Sequence, residues 1–201
     1  MPLTERLDDA FRLARELHTA QIRKGTDTPY LSHLMAVSAI VLEHGGGEDE
    51  AIAALLHDAV EDQGGAATLA EIRRRFGDAA AAIVEGCTDA DTTPKPPWRQ
   101  RKERYVAHIA HASRSVRLVS AADKLHNARA ILDDYRAVGD AVWDRFNVGP
   151  AEILWYYRAL ADAFRAVEET PLVERLGRVV SELERTVTSA RPFGEAGRRD
   201  G

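Results

Sequence analysis

Apolar residues recur along the chain at intervals of three and four, the spacing that lays one side of an α-helix against a core. Between about Thr4 and Ile22, Leu7, Phe11, Ala14 and Leu17 share a face, and Thr4 suits the N-cap. A loop follows at Arg23-Lys24-Gly25-Thr26-Asp27-Thr28-Pro29-Tyr30, marked by its Gly, Asp and Pro. A second helix is expected from about Leu31 to His44, stopped by Gly45-Gly46-Gly47, and a third from about Asp49 to Asp62, stopped by Gly64-Gly65. Thr68-Leu69-Ala70-Glu71 has the form of a capping box for a short helix ending near Phe76-Gly77, and Asp78 is placed to cap the next, Ala79 to about Cys87. Asp89 to Pro97 reads as a polar, proline-bearing loop. Further helices are expected from Trp98 to about His111, Ser115 to about Tyr135, Pro150 to Val167 and Pro171 to about Thr188, with Gly139 to Gly149 as a connection. No alternating pattern of any length is present. The expected fold class is therefore all-α, a single bundle of roughly eight to ten helices. The domain spans residues 1–188, and residues 189–201, poor in apolar side chains and rich in Gly and Arg, read as a flexible tail.

Composition narrows the class. The chain has 201 residues, enough for one core, and its 45 % hydrophobic and 29 % charged residues are those of a globular protein. No apolar run reaches the roughly 18 residues that a membrane span needs, and the acidic, amphipathic N-terminus has no signal-peptide core. The single cysteine, Cys87, excludes internal disulfides and cysteine-rich zinc sites and fits a reducing cytoplasm. A net charge of −5 argues against a general nucleic-acid binder, but leaves room for an anionic ligand held by local cations.

Chemistry concentrates in Leu55-Leu56-His57-Asp58-Ala59-Val60-Glu61-Asp62-Gln63. On a helical wheel with His57 at zero, Glu61 falls at about 40°, Asp58 at about 100° and Asp62 at about 140°, while Ile52, Leu55, Leu56, Ala59 and Val60 fill about 160° to 300°. An ordinary amphipathic surface helix would show the same two faces. Here, however, no Lys or Arg balances the acids, and clustered carboxylates are costly unless a cation sits among them. The segment therefore reads as a metal-site helix. His33, in the first turn of an otherwise apolar helix, is a third candidate ligand, against the alternative of a hydrogen-bonded core histidine. Asp123 is the fourth, because Leu118-Val119-Ser120-Ala121-Ala122 surrounds it with apolar positions where a bare carboxylate is penalised. Its competing reading, a salt bridge to Lys124, suffers from the angle of about 100° between adjacent helical residues. A mixed His and Asp set suits a divalent metal such as Mn²⁺, Fe²⁺ or Zn²⁺.

These motifs resemble the HD-domain metal-dependent phosphohydrolases through His33, the His57-Asp58 doublet and Asp123. Within them the chain is similar to the stand-alone small alarmone hydrolases related to the hydrolase half of RelA/SpoT enzymes. The closer likeness rests on Arg23-Lys24-Gly25 with Pro29-Tyr30-Leu31-Ser32-His33, His57-Asp58-Ala59-Val60-Glu61-Asp62, Trp98-Arg99-Gln100-Arg101-Lys102-Glu103-Arg104-Tyr105 and Ala122-Asp123-Lys124-Leu125-His126-Asn127. It covers about residues 4 to 185.

The resemblance implies hydrolysis of the 3′-pyrophosphate of (p)ppGpp, the alarmone of the stringent response, releasing pyrophosphate and GDP or GTP, usually with Mn²⁺. Metal ligands would be His33, His57, Asp58 and Asp123. Glu61 and Asp62 would orient the attacking water and take its proton, against the alternative of a plain acidic helix end. Arg23, Lys24, Lys124 and Asn127 would hold phosphates, with Arg101, Lys102 and Arg104 closing over them, unless that charge run is only a solvated face. Tyr156, with Trp155 and Tyr157, would stack on the base or fill the core. His18, His44, His108, His111 and His126 are expected to be structural or surface residues. The expected partner is a small nucleotide polyphosphate, with neither nucleic acid nor membrane involved. Oligomeric state stays open, a homodimer among the options. Two alternatives remain: an HD phosphohydrolase acting on another nucleotide, such as an adenine alarmone, NADPH or a nucleoside phosphate, and a non-catalytic metal-stabilised binding module. The presence of both Glu61 and Asp62 argues against the second.

Overall fold

The computed structural model of the chain describes residues 2–89 and 96–190. The expected tail from residue 191 on, and most of the expected loop before Pro97, lie outside them. The described residues form nine α-helices: α1 (Glu5–Leu17), α2 (Leu31–Glu43), α3 (Glu48–Leu56), α4 (Ala59–Asp62), α5 (Gly65–Cys87), α6 (Trp98–Ile109), α7 (Arg114–Val138), α8 (Pro150–Val167) and α9 (Pro171–Ala190), with a 3-10 segment at Gly139–Arg145. The β pairing among them is one antiparallel bridge, Ile22 with Pro29. Among the described residues no helix is long and apolar enough to cross a membrane.

Two helices form the interior. In α3, Ala51 through Leu56 are all buried. In α7, Val119 through Asp123 and Leu125 are buried in one run, and the helix packs against α2, α3, α5, α8 and α9. A helix apolar on every side must lie inside a bundle. Thr4 caps α1 as its sequence indicates, accepting the Arg6 N–H at 3.3 Å. The same hydroxyl donates to Glu48 at 2.8 Å, and Arg6 donates to the other Glu48 oxygen at 2.9 Å. This buried carboxylate ties the start of α1 to the start of α3.

The expected third helix, Asp49 to Asp62, is not continuous. It breaks after Leu56, and His57 and Asp58 (φ −97°, ψ −4°) turn the chain before the single turn of α4. The cause is local: the Ala54 carbonyl, which a continuous helix would offer to the Asp58 N–H, accepts His57 Nδ1–H at 2.8 Å. Periodicity alone does not reveal such a break, because the apolar pattern runs through it. The capping box at Thr68 is also absent; Thr68 Oγ1 donates to the Gln63 carbonyl at 2.8 Å, inside an α5 that begins at Gly65.

The break expected at Gly77 is present inside α5, with φ +88° and ψ 175°. Only glycine adopts that region without strain. Gly77→Ala should therefore lower the unfolding free energy by about 1–3 kcal/mol, read as a lower urea midpoint at unchanged slope. An unchanged midpoint would show that the kink is not required.

Candidate metal centre

Four side chains from three places in the chain meet beside the break. His33 comes from the first turn of α2, His57 and Asp58 from the turn after α3, and Asp123 from the middle of α7. His57 Nε2 lies 3.0 Å from Asp58 Oδ2 and 3.7 Å from Asp123 Oδ1. His33 Nε2 lies 3.3 Å from Asp123 Oδ1 and 3.8 Å from Asp58 Oδ2. Atoms about 2.1 Å from a common cation sit about 3.0 Å apart at right angles and about 3.4 Å apart at the tetrahedral angle, so these separations are those of a ligand shell. His33, His57 and Asp123 are buried, and the Asp58 side chain is 26 % exposed. The cluster therefore opens at Asp58.

Hydrogen bonding supports the fit. The Nε2 atoms of both His33 and His57 are buried without a hydrogen-bond partner. With Nδ1–H of His57 given to Ala54, its Nε2 is the nitrogen that faces the carboxylates; against burial, Asp58 and Asp123 hold its pKa well above the ordinary histidine value, so a metal bound there would take the place of the Nε2 proton. His33 Nδ1 pairs with His126 Nδ1 at 2.8 Å, and when His33 donates there its Nε2 carries a lone pair. His126 stays neutral, pushed down to about 4 by burial and by His33 and Arg23. Two buried imidazole nitrogens facing two carboxylates call for positive charge between them, supplied by a proton on His57 or by a metal ion that displaces it. When bound, a divalent ion would supply Lewis acidity there.

The carboxylates are kept ionised. Burial works against the Asp123 charge, but Lys124, His33 and His57 hold the group well below its ordinary range. Asp58 is likewise brought down against burial, chiefly by His57. Lys124 Nζ donates to Asp123 Oδ2 at 2.6 Å, which corrects the sequence expectation that neighbours on a helix pair poorly. The long Lys stem folds back across the 100° gap. Asp123 uses both oxygens: Oδ2 takes Lys124, while Oδ1 faces the imidazoles and accepts Asn127 Nδ2 at 2.5 Å. Lys124 and Asn127, expected at phosphates, thus contact a candidate ligand.

The remaining expected residues divide. Arg23 Nη2 donates to Asn127 Oδ1 at 3.0 Å, and Arg23, Lys24, Tyr30, Asn127, Arg145 and Tyr157 line a cavity of about 480 Å³ beside the cluster. Gly25, at φ +74°, has to be glycine, since a Cβ would run into the Arg145 side chain. Asp62 is exposed and accepts Gln21 Nε2 at 2.9 Å; partial desolvation raises its carboxyl, Asp58 and Glu61 add to the rise, and the Gln21 bond opposes it. Lys102 donates to Asp89 at 2.8 Å and lies over the Tyr156 ring, near enough for Lys124 to repel its charge. Arg101 is pinned to Asp89 and to the Pro96 carbonyl, and Arg104 is exposed. Tyr156 is 5 % exposed and packed edge-on against Trp98, so it belongs to the core rather than to an open stacking platform.

Sequence reasoning passed over three participants. Tyr30 donates its hydroxyl to Asp58 Oδ2. His126 orients His33, and Gln21 reaches Asp62. Tyr30 sits in the expected loop, and Gln21 in the last turn of the expected first helix, which in the structure ends earlier, at Leu17. His126 had a signal, lying three residues after Asp123 on a helix that is buried around it.

If the cluster holds a metal, a divalent cation at a hundred times its Kd should stabilise the fold by about 2.7 kcal/mol. Calorimetry should show the melting temperature rise with added Mn²⁺ and fall back with chelator, and Asp58→Ala should abolish the response. An equal rise in the variant would place the ion elsewhere.

Comparison with known proteins agrees with this geometry. Residues 10–146 match the HD domain family HD_4. The guanosine-3′,5′-bis(diphosphate) 3′-pyrophosphohydrolase MESH1 of Xenopus tropicalis is 42 % identical over 124 residues, 60 % of this chain and 66 % of that protein, and the Homo sapiens counterpart is 39 % identical with the same coverage. The bifunctional (p)ppGpp synthase/hydrolase SpoT of Escherichia coli K12 is 33 % identical over 133 residues, covering 63 % of this chain but 18 % of that one. The matched stretch thus spans just under two thirds of the length of the MESH1 relatives. Among solved structures, a metazoan ortholog of SpoT described as hydrolyzing ppGpp superposes with a TM-score of 0.75 at 23 % identity, covering 93 % of this chain and 99 % of that one, which shows a shared fold. A Listeria monocytogenes EGD-e protein gives 0.67 at 26 % identity, with 76 % and 99 % covered. This chain belongs to the HD domain family.

Proposed function

We propose that the protein is a metal-dependent hydrolase that removes the 3′-pyrophosphate of (p)ppGpp, releasing pyrophosphate and GDP or GTP, with Mn²⁺ as the metal and a reducing cytoplasm as its setting. The observation that carries this reading is the pair of buried, unpartnered Nε2 atoms facing Asp58 and Asp123, beside a cavity walled by Arg23 and Lys24. Relatives named as 3′-pyrophosphohydrolases direct the choice of substrate.

His33, His57, Asp58 and Asp123 would hold the ion. When bound there, the ion would supply Lewis acidity toward water and a phosphoryl oxygen. The protein's own groups do the rest. Arg23 and Lys24 hold the polyphosphate by charge, and Arg23 is braced by Asn127. Tyr30 donates to Asp58 and fixes the carboxylate that opens to the cleft. Glu61 and Asp62 take the proton of the attacking water as its oxygen bonds to the phosphorus attached at the 3′-oxygen. The bond from that phosphorus to the 3′-oxygen breaks, the proton taken from the water passes from the carboxylic acid of the pair through solvent to the 3′-oxygen, and pyrophosphate and the 3′-hydroxyl nucleotide depart. Lys124, already bonded to Asp123, adds positive charge on the buried side.

Incubation with Mn²⁺ and separate nucleotides, with products resolved by charge, tests the assignment. Pyrophosphate and GDP should appear from ppGpp, and Asp123→Ala or chelator should stop the reaction. Intact ppGpp alongside turnover of NADPH or an adenine counterpart would move the protein to another substrate, and no turnover of any nucleotide would favour a binding module.

A further inference from the structure

One uncharged side chain, Gln21, reaches Asp62 of the acidic pair. Gln21 lies between α1 and α2, where its main chain is held at both ends: its N–H donates to the His18 carbonyl at 3.1 Å and its carbonyl accepts the Tyr30 N–H at 2.9 Å. Its side-chain oxygen accepts two donors, His18 Nδ1–H at 2.6 Å and Gln63 Nε2 at 2.8 Å. Its nitrogen donates to Asp62 Oδ2 at 2.9 Å. The neighbours dictate this orientation of the amide. An ionised carboxylate only accepts, so reversing the amide would set oxygen against oxygen at Asp62, while the orientation kept lets His18 and Gln63 both donate to the Gln21 oxygen. His18 is itself fixed, 3 % exposed and stacked on Tyr30 with ring centroids 5.4 Å apart. The same segment therefore positions two functional groups: the Gln21 side chain reaches Asp62, and the Gln21 carbonyl locates Tyr30, whose hydroxyl reaches Asp58.

We propose that Gln21 is a positioning residue for the hydrolytic reaction: its amide, aligned by His18 and Gln63, anchors Oδ2 of Asp62 so that Oδ1 faces the attacking water. The inference rests on the hydrolase reading above. It adds that the α1–α2 connection holds Asp62 in a set orientation. The Gln21 side chain acts through Asp62.

The test is a double-mutant cycle on ppGpp hydrolysis with Mn²⁺, measuring kcat and KM for the parent protein, Gln21→Glu, Asp62→Asn and the double variant. Gln21→Glu keeps the shape of the side chain and its acceptance from His18 and Gln63, and sets a second carboxylate oxygen, with its negative charge, where the donor to Asp62 stood. Asp62→Asn should lower kcat by about 10²–10⁴-fold. Gln21→Glu should lower kcat by at least about tenfold while KM and Mn²⁺ binding stay within about twofold of the parent. The double variant should be no slower than Asp62→Asn alone, because the two residues act as one unit. Gln21→Ala is the second variant, and its melting temperature separates loss of fold from loss of alignment. Parental kcat in a folded Gln21→Glu protein, or losses that multiply in the double variant, would overturn the proposal while leaving the hydrolase reading intact. A parent protein inactive on ppGpp would overturn both.

Discussion

Two carboxylates, Asp58 and Asp123, face two imidazole nitrogens inside an apolar bundle, and this arrangement governs the rest of the structure. Like charges held together away from water are unfavourable unless cations accompany them. Lys124 answers one of the two, through its bond to Asp123. With neutral imidazoles the cluster keeps one net negative charge, and a divalent ion would turn that into one net positive charge, the sign that suits a polyphosphate. The buried Nε2 atoms of His33 and His57 complete the argument, since each lacks any hydrogen-bond partner.

The fold makes this cluster rigid by placing its members on the most enclosed helices. α3 and the middle of α7, Val119 to Leu125, are largely buried, and α2 packs against both helices. The break after Leu56 is part of the device. By taking the Ala54 carbonyl, the His57 ring ends the helix and sets its own tautomer in one bond. The loop between α1 and α2 closes the open side, supplying Arg23 and Lys24 to the cavity, Tyr30 to Asp58 and Gln21 to Asp62.

Much of this was legible in the residues. The apolar spacing marked the helices, and Gly77 marked a break inside one of them because only glycine accepts its backbone angles. His33 and Asp123 stood out as polar groups in apolar surroundings, and His57 and Asp58 as members of a polar face whose acids no Lys or Arg balances. The misreadings have physical causes. A side chain that competes for a backbone carbonyl, as His57 does, leaves no trace in hydrophobic periodicity. A flexible lysine can reach back over an angle that a wheel treats as too wide. Tyr156 looked available for stacking, but aromatic residues at helical spacing are as much at home in a core, and Trp98 occupies its edge. Tyr30 and Gln21 act from a loop, through tertiary contacts that no local pattern encodes.

The central claim is that one divalent ion sits among His33, His57, Asp58 and Asp123. Anomalous diffraction at the manganese edge, from crystals grown with Mn²⁺, tests it most directly. The account predicts one strong peak within about 2.0–2.3 Å of Nε2 of both histidines and of an oxygen from each aspartate. A peak ligated instead by Glu61 and Asp62, or no peak within reach of His33 and His57, would contradict it.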